Sequence, residues 1–368
     1  MEFRVPLYFL ALAVFAMGTS EFMLAGLVPG IAAALGVSLA QAGFLTSAFA
    51  LGMVAGAPLM AALARPWRRR SALLGFLAVF VAAHVGGALT TSFAVLVGTR
   101  LVAAVANAGF LAVALTAAAA LVPPGRQGRA LAVLLGGTTV ACVAGVPGGA
   151  VLAAAFGWRA AFWAVVLLGL PAVAGVWRVP DTPAGTKPAG LRAELAELRP
   201  LAGVLLLAAL VNAATFGVFT YLAPLAAGLA PVAVVLGAFG VGCFAGVTAA
   251  GRLADRWPGR VVALGGVLLL AGWVTLALVP AALPVLAFTQ GALSFAVGGT
   301  VITRILHLAT GAPTMAGSYA TAALNAGATA GPLLAGALFG ILSPFWTAAG
   351  LVAAALAVFR RAGAGRSG

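Results

Sequence analysis

Long apolar runs constrain this chain more than any other feature. A helix needs about 20 mostly apolar residues to cross the roughly 30 Å hydrocarbon core of a bilayer. Such runs recur along nearly the whole 368-residue sequence, in which 64% of residues are hydrophobic and 7% are charged. The sequence therefore predicts a polytopic helical membrane protein and leaves no stretch long enough for a soluble domain.

The apolar runs fall into twelve predicted spans. A polar stretch at 178–200 separates six from six, which predicts an N-terminal six-helix bundle at 1–177, a cytoplasmic linker at 178–200 and a C-terminal six-helix bundle at 201–368. The predicted fold class is an all-α membrane protein whose twelve transmembrane helices form two six-helix pseudo-repeats around a central cavity. The spans lie at about 7–35, 41–64, 71–90, 94–121, 131–154, 160–177, 201–226, 232–253, 261–280, 284–306, 316–341 and 344–359.

The two halves show signs of a tandem repeat. Val95–Arg100 in span 4 is similar to Val285–Gln290 in span 10. The connection at 64–69 falls opposite the connection at 255–260 at nearly the same offset. Parallel six-span repeats with a site at their interface are a transporter architecture. The alternative is chance alignment, because spans rich in Ala, Val and Leu align easily.

Basic residues are distributed by topology rather than gathered into a nucleic-acid surface, so no nucleic-acid partner is expected. The positive-inside rule places basic connections in the cytoplasm, which predicts cytoplasmic termini and a place in the cell inner or plasma membrane. The net charge of +14 comes from clusters in alternate connections, at 65–70, 126–129, 178–199, 252–260 and 360–366.

Cys142 and Cys243 fall inside predicted spans, so no disulfide is expected.

Glu21 is the one carboxylate inside an apolar span. The other five of the chain's six acids fall at the terminus or in polar connections. Placing an acid in a membrane helix costs about 2.5–3.5 kcal/mol on insertion scales, and such residues mark ion pathways and proton relays. We therefore predict that Glu21 carries a proton. The alternative is a structural hydrogen bond between helices.

Arg100 is the basic counterpart of Glu21. It lies about six residues into span 4 from the outer end, and Asn107 follows on the same helix face. Because span 4 runs opposite to span 1, we expect Arg100 and Glu21 at similar depth, interacting directly or through water. The alternative for Arg100 is snorkelling to the outer interface.

Span 7 carries polar and aromatic side chains at helical spacing, as one wall of a cavity for a neutral amphipathic ligand requires. A stripe of Phe that faces lipid or packs between helices is the alternative. In span 3, we expect His84 to be a satisfied buried histidine rather than a proton relay. The full set of predicted substrate-binding residues is Glu21, Asn107, Asn212, Thr215, Phe216, Phe219, Tyr221 and Asn325.

Two short motifs suggest gating and packing roles. In the loop motif at 251–260, Gly251 permits close approach of spans, and Asp255 lies among arginines that include Arg256 and Arg260. The first-half counterpart at 60–70 lacks both the glycine and the aspartate.

In span 5, Gly145, Pro147, Gly148 and Gly149 form a glycine-proline motif. Small residues allow tight helix packing and proline bends the span. At the start of span 6, Trp158 and Arg159 suit an interfacial anchor.

These residues resemble motifs of the major facilitator superfamily. The loop at 251–260 is similar to the loop signature of that family, and Arg100 and the glycine-proline motif are similar to those of its drug/proton antiporters. Four longer segments resemble chloramphenicol exporters within the family, at 11–29, 106–115, 157–163 and 311–332.

The resemblance implies efflux of chloramphenicol, or a similar neutral amphipathic drug, by alternating access. Protons would move inward in exchange, with Glu21 and Arg100 responsible for the coupling. The protein is expected to act as a monomer in the lipid bilayer, without a cofactor or metal.

Three other functions are compatible with the residues alone. The cargo is a sugar or another metabolite in the first, and transport is not coupled to protons in the second. A membrane enzyme is the third, although the sequence shows no zinc motif, phosphate-binding loop or nucleophile triad. We therefore predict a transporter and not an enzyme.

Overall fold

The computed structural model describes residues 4–64, 67–122, 127–179, 198–253, 256–308 and 316–364, and nearly all of them are helical. A π-helical turn at Ala141–Gly145 and a 3-10 turn at Pro280–Ala282 interrupt the α-helices. The α-helices are α1 (Arg4–Phe22), α2 (Leu24–Leu35), α3 (Leu39–Leu63), α4 (Arg69–Leu89), α5 (Phe93–Ala120), α6 (Gln127–Val140), α7 (Val146–Phe156), α8 (Trp158–Val176), α9 (Leu198–Thr220), α10 (Leu222–Ala226), α11 (Val232–Leu253), α12 (Pro258–Leu278), α13 (Leu283–Leu308), α14 (Ala316–Ala337) and α15 (Pro344–Ala364).

Each predicted span corresponds to a described helix or helix pair. Within the described ranges, nine helical stretches are long and apolar enough to cross a membrane, and α1 with α2 makes a tenth that is bent by 51°. Helices α14 and α15 occupy the places of predicted spans 11 and 12. The all-α fold predicted from the apolar runs is confirmed.

Three predicted spans are not the continuous helices that the apolar runs suggest. Span 1 breaks at Met23, where the Gly26 N–H bonds the Met23 carbonyl three residues back at 3.0 Å, a tighter turn than the α-helix makes. Span 5 contains the π turn, which ends two residues before Pro147, and Pro147 has no N–H to continue the helical ladder. Span 7 breaks at Tyr221, whose N–H bonds the Val218 carbonyl at 3.0 Å.

The chain divides into two compact units. The N-terminal unit comprises Met1–Val37 and Leu51–Thr186, and the C-terminal unit comprises Ser38–Ala50 and Lys187–Gly368. The first half of α3 therefore groups with the C-terminal unit. The boundaries of the two six-helix bundles stay a prediction, and most of the predicted linker, at 180–197, lies outside the described residues.

Glycine allows helices to approach closely within each unit. In the C-terminal unit, Gly327 and Gly331 of α14 face the Ala209 and Ala213 carbonyl oxygens of α9, which leave no room for a Cβ atom. In the N-terminal unit, Gly175 of α8 meets the Phe9 ring of α1 in the same way. Small residues four positions apart are a common means of packing membrane helices, because they bring the backbones together.

Candidate functional site

A buried polar cluster lies where α1, α4 and α5 meet in the N-terminal unit. Its members are Ser20 of α1, His84 of α4 and Arg100 of α5, and each is at most 1% exposed. Arg100 Nη1 donates to the Ser20 hydroxyl at 2.7 Å, and Arg100 Nη2 donates to the Ser20 carbonyl oxygen at 2.8 Å. The Ser20 hydroxyl lies 2.6 Å from His84 Nε2. One hydrogen-bonded group therefore links predicted spans 1, 3 and 4.

The partners of these side chains determine which atom donates and which accepts in each hydrogen bond of the cluster. His84 Nδ1 lies 2.8 Å from the Phe80 carbonyl oxygen, which can only accept, so Nδ1 carries a proton. In the neutral imidazole Nε2 then accepts the Ser20 hydroxyl hydrogen. The Ser20 oxygen is left to accept from Arg100. Donation thus runs from Arg100 to Ser20, from Ser20 to His84, and from His84 to the backbone.

Aromatic rings surround the cluster. The Phe80 ring centroid lies 4.2 Å from the His84 centroid, and the Phe162 centroid lies 5.7 Å from it. The guanidinium carbon of Arg100 lies 6.0 Å from the Phe162 centroid, at the outer limit of a cation–π contact. These rings replace water around the two nitrogen-bearing side chains.

The cluster decides two of the alternatives left by the sequence. The snorkelling alternative for Arg100 is wrong, because its side chain is 1% exposed and donates to Ser20. The expectation that His84 is a satisfied buried histidine is confirmed, since both ring nitrogens have partners. Spans 1 and 4 also meet at this cluster, where Arg100 contacts Ser20.

Glu21 follows Ser20 on α1 and is half-buried. It is close enough to Arg100 for the two charges to interact. In this structure Ser20 accepts a hydrogen bond from each of the two Arg100 terminal nitrogens.

The glycine-proline motif packs against the turn of α1 that carries these residues. A Cβ atom on Gly145, in the π turn, would fall 2.5 Å from the Thr19 hydroxyl oxygen. One on Gly149 would fall 3.2 Å from the Met23 Cβ atom, at the break between α1 and α2. Gly148 has nothing within 4 Å of its Cβ position. Two helix irregularities, the π turn and the break at Met23, therefore lie beside Glu21.

Asn107 is buried at 1% exposure on α5 and lies outside the hydrogen-bonded cluster. Its side-chain oxygen has no hydrogen-bond partner among the described residues. A buried amide oxygen without a partner is costly. Asn107 therefore stays a predicted substrate-binding residue, and its side-chain oxygen could accept a hydrogen bond from the substrate.

The polar side chains predicted to bind substrate in the C-terminal unit donate hydrogen bonds to backbone carbonyls. Asn212 Nδ2 donates across to the Leu324 carbonyl of α14 at 2.6 Å, and the Tyr221 hydroxyl donates to the Pro332 carbonyl at 3.2 Å. Thr215 and Asn325 donate to carbonyls four residues back in their own helices. Their role in substrate binding stays a prediction, and the structure adds a structural role for Asn212 and Tyr221.

The phenylalanines of predicted span 7 are buried and do not face lipid. Phe216 is 8% exposed and Phe219 is 4% exposed. The two rings meet edge to face with centroids 5.9 Å apart, and Phe219 stacks on Phe239 of α11 at 5.3 Å. The lipid-facing alternative is therefore wrong, while packing and substrate contact both remain compatible with this arrangement.

The remaining predicted motif residues are only partly described. Gly251 lies in the last turn of α11, and Asp255 lies outside the described residues. Arg256 and Arg260 are exposed. The interfacial anchor predicted at Trp158 and Arg159 stays a prediction. Trp158 is 4% exposed and packs on Phe162. Arg159 donates to the Thr90 carbonyl at 2.8 Å.

Sequence reasoning missed Ser20, although it directly precedes Glu21. The available signal was a hydroxyl in an apolar run, but such residues usually bond their own helix. Only packing of α1 against α4 and α5 shows that Ser20 lies between Arg100 and His84.

Sequence similarity decides the family. The Major Facilitator Superfamily model matches residues 10–230. A chloramphenicol resistance protein of Streptomyces lividans is 62% identical over 96% of this chain and 95% of its own. The chain belongs to the Major Facilitator Superfamily. It is therefore a multi-pass membrane transporter and not an enzyme, as predicted.

Other superfamily proteins match over similar lengths. The inner membrane transport protein YdhP of Escherichia coli (strain K12) is 33% identical over 97% of this chain and 95% of its own. The crystal structure of a D-xylose–proton symporter matches with a TM-score of 0.78 at 14% identity and covers 96% of each chain. At that identity the likeness shows the fold alone, and it agrees with the twelve-helix fold.

Proposed function

We propose that this superfamily member exports chloramphenicol from the cytoplasm in exchange for protons. The observation that carries the proposal is 62% identity over 96% of the chain to the chloramphenicol resistance protein of S. lividans. The proposed cycle is alternating access by a monomer whose termini are both cytoplasmic.

Glu21 is the proposed proton carrier. It is half-buried in α1 and is the one acid of the sequence that falls in an apolar span. Burial and the charge of Arg100 act on its protonation in opposite directions. A displacement of Arg100 therefore changes how tightly Glu21 holds its proton. One charge moving through 100 mV is worth about 2.3 kcal/mol, which is available to drive export of a neutral drug.

Arg100 is the proposed coupling residue. Its terminal nitrogens donate to Ser20, one residue from Glu21. When Glu21 releases its proton, the new carboxylate competes with Ser20 for the guanidinium, since opposite charges attract in a partly buried site. Exchange of Arg100 between Ser20 and Glu21 would connect proton release to a movement of α5 relative to α1.

The proposed substrate contacts combine aromatic surface with a few polar groups, as binding of a neutral amphipathic drug requires. The buried Phe216 and Phe219 rings and the Asn107 side-chain oxygen support this proposal. Glu21, Asn212, Thr215, Tyr221 and Asn325 complete the proposed set.

The decisive experiment measures chloramphenicol transport in everted membrane vesicles with an imposed proton gradient. We expect gradient-driven accumulation by the native protein and its loss in Glu21→Gln, which keeps the size of the side chain but cannot carry the proton. Glu194→Gln, which neutralises an acid in the predicted linker, should transport normally. Undiminished gradient-driven transport by Glu21→Gln would disprove the proton role.

The same vesicles distinguish the alternatives. Transport that persists with a protonophore would indicate an uncoupled facilitator. If chloramphenicol is not transported, susceptibility profiling of cells expressing the protein should identify another drug or metabolite as cargo.

A further inference from the structure

An apolar groove on the C-terminal unit ends at an arginine. The groove lies between α11, α12 and α13 and encloses about 490 Å³. Of the twelve described residues that line it, Arg260 is the one with a charge, and Trp257 is the one aromatic residue. Small and aliphatic residues, such as Ala249, Leu264 and Ala296, form the rest of the wall. The groove is therefore apolar along its length and cationic at one end.

The length of the groove fits one leaflet of a bilayer. On α11 it extends from Leu253, near the arginine end, to Ala245. Eight residues of α-helix span about 12 Å at 1.5 Å per residue. Half of a hydrocarbon core of roughly 30 Å is about 15 Å. The groove therefore covers most of the depth that one acyl chain occupies.

The groove opens on a face that meets lipid. One of its walls, α12, buries 28% of its residues, the smallest share among the candidate spans. Leu264 is 64% exposed and Leu268 is 58% exposed on the same helix. In a membrane transporter, exposed leucines on a span contact acyl chains, because no other apolar solvent is present.

The arginine end has the chemistry of a headgroup site. Trp257 is 45% exposed, and the guanidinium carbons of Arg256 and Arg260 lie 5.0 and 5.8 Å from its ring centroid. Tryptophan is enriched at the level of lipid headgroups. Arginine presents planar donor pairs that match phosphate oxygens. The segment 251–260 carries three arginines and one aspartate, so its charge favours an anion.

We propose that this groove binds one anionic phospholipid, with an acyl chain between α11, α12 and α13 and the phosphate on Arg256 and Arg260. A second copy of this chain fits less well, because a protein with a net charge of +14 and six acids offers little negative surface. A free phosphate would leave the apolar wall uncovered. The proposal concerns a membrane lipid and does not depend on the cargo or on proton coupling.

Native mass spectrometry of the purified full chain tests this proposal. The protein is exchanged into equal amounts of phosphatidylglycerol and phosphatidylethanolamine with identical acyl chains, and the lipid retained after detergent removal is identified. We expect retention of one phosphatidylglycerol with about tenfold preference or more, as two interfacial arginines predict. Arg256→Gln/Arg260→Gln should lose the preference.

Two further variants distinguish specific lipid binding in the groove from nonspecific attraction of anionic lipid to a basic protein. Arg360→Gln/Arg361→Gln removes two exposed charges of α15 that do not line the groove, and it should keep the preference. Ala249→Phe fills the groove without changing charge and should reduce retention of both lipids. Equal retention of the two lipids by the native protein would overturn the proposal. An equal loss of preference in the α15 variant, or a dimer in place of bound lipid, would also overturn it.

Discussion

At the scale of single residues, the central finding is that Arg100 donates two hydrogen bonds to Ser20, the residue directly before Glu21. The Arg100–Ser20–His84 chain is fully buried, with donor–acceptor distances of 2.7 and 2.6 Å. A hydrogen bond to a charged group contributes about 1.5–3 kcal/mol. Ser20 therefore competes with Glu21 for the guanidinium on comparable terms, which is what a reversible exchange of partners requires.

Removing the Ser20 hydroxyl should impair coupling. We expect Ser20→Ala to slow gradient-driven chloramphenicol export about tenfold to hundredfold, because loss of its charged hydrogen bond leaves Arg100 fixed on Glu21. Ser20→Thr keeps a hydroxyl and should retain most of the activity. Thr99, the residue before Arg100 on α5, donates to the Leu96 carbonyl of its own helix at 2.8 Å, so Thr99→Ala is the matched control. Equal rates for Ser20→Ala and the native protein would contradict the exchange.

At the scale of helices, the irregular turns of α1 and span 5 pack against each other. The π turn at Ala141–Gly145 lies against Thr19, and α7 lies against Met23, where α1 ends. π turns are often found at functional sites, because they shift side chains relative to a regular helix. The glycine-proline motif thus supports the turn of α1 that carries Ser20 and Glu21.

Two identical substitutions three residues apart test this packing. Gly145→Ala places a methyl group 2.5 Å from the Thr19 hydroxyl, whereas Gly148→Ala meets nothing within 4 Å. We expect Gly145→Ala to lower the unfolding free energy by about 1–3 kcal/mol and to reduce export. Gly148→Ala should be neutral or stabilising by about 0.5–1 kcal/mol. Thermal unfolding in detergent measures both, and equal melting temperatures would argue against a tight contact at Gly145.

At the scale of the whole molecule, the orientation in the membrane can be tested by labelling single introduced cysteines. Cys142 and Cys243 are both buried, so a membrane-impermeant maleimide should leave the folded protein unlabelled. We expect Thr91→Cys, in the exposed connection between α4 and α5, to be labelled in intact cells. Arg360→Cys, near the end of α15, should be labelled only after permeabilisation. The reverse pattern would show that the termini are not cytoplasmic.

Much of the fold was predictable, because hydropathy and helix length are properties of consecutive residues. The spans, their number and the placement of Glu21 in the first of them all follow from that local pattern. The breaks at Met23 and Tyr221 were not predictable, because neither residue interrupts the apolar run. Ser20 was missed for a related reason, since its partners lie 64 and 80 residues away in the chain.

The sequence by itself determined that this protein is a helical membrane protein with one acid in an apolar span, because the cost of leaving water acts on each residue separately. Only the tertiary structure decided that Arg100 donates to Ser20 and that Ser20 donates to His84. It also decided that the glycine-proline motif packs against the turn carrying Glu21. Hydrogen bonds and close contacts depend on which faces of distant helices meet, and the apolar pattern of an all-hydrophobic span does not specify a face.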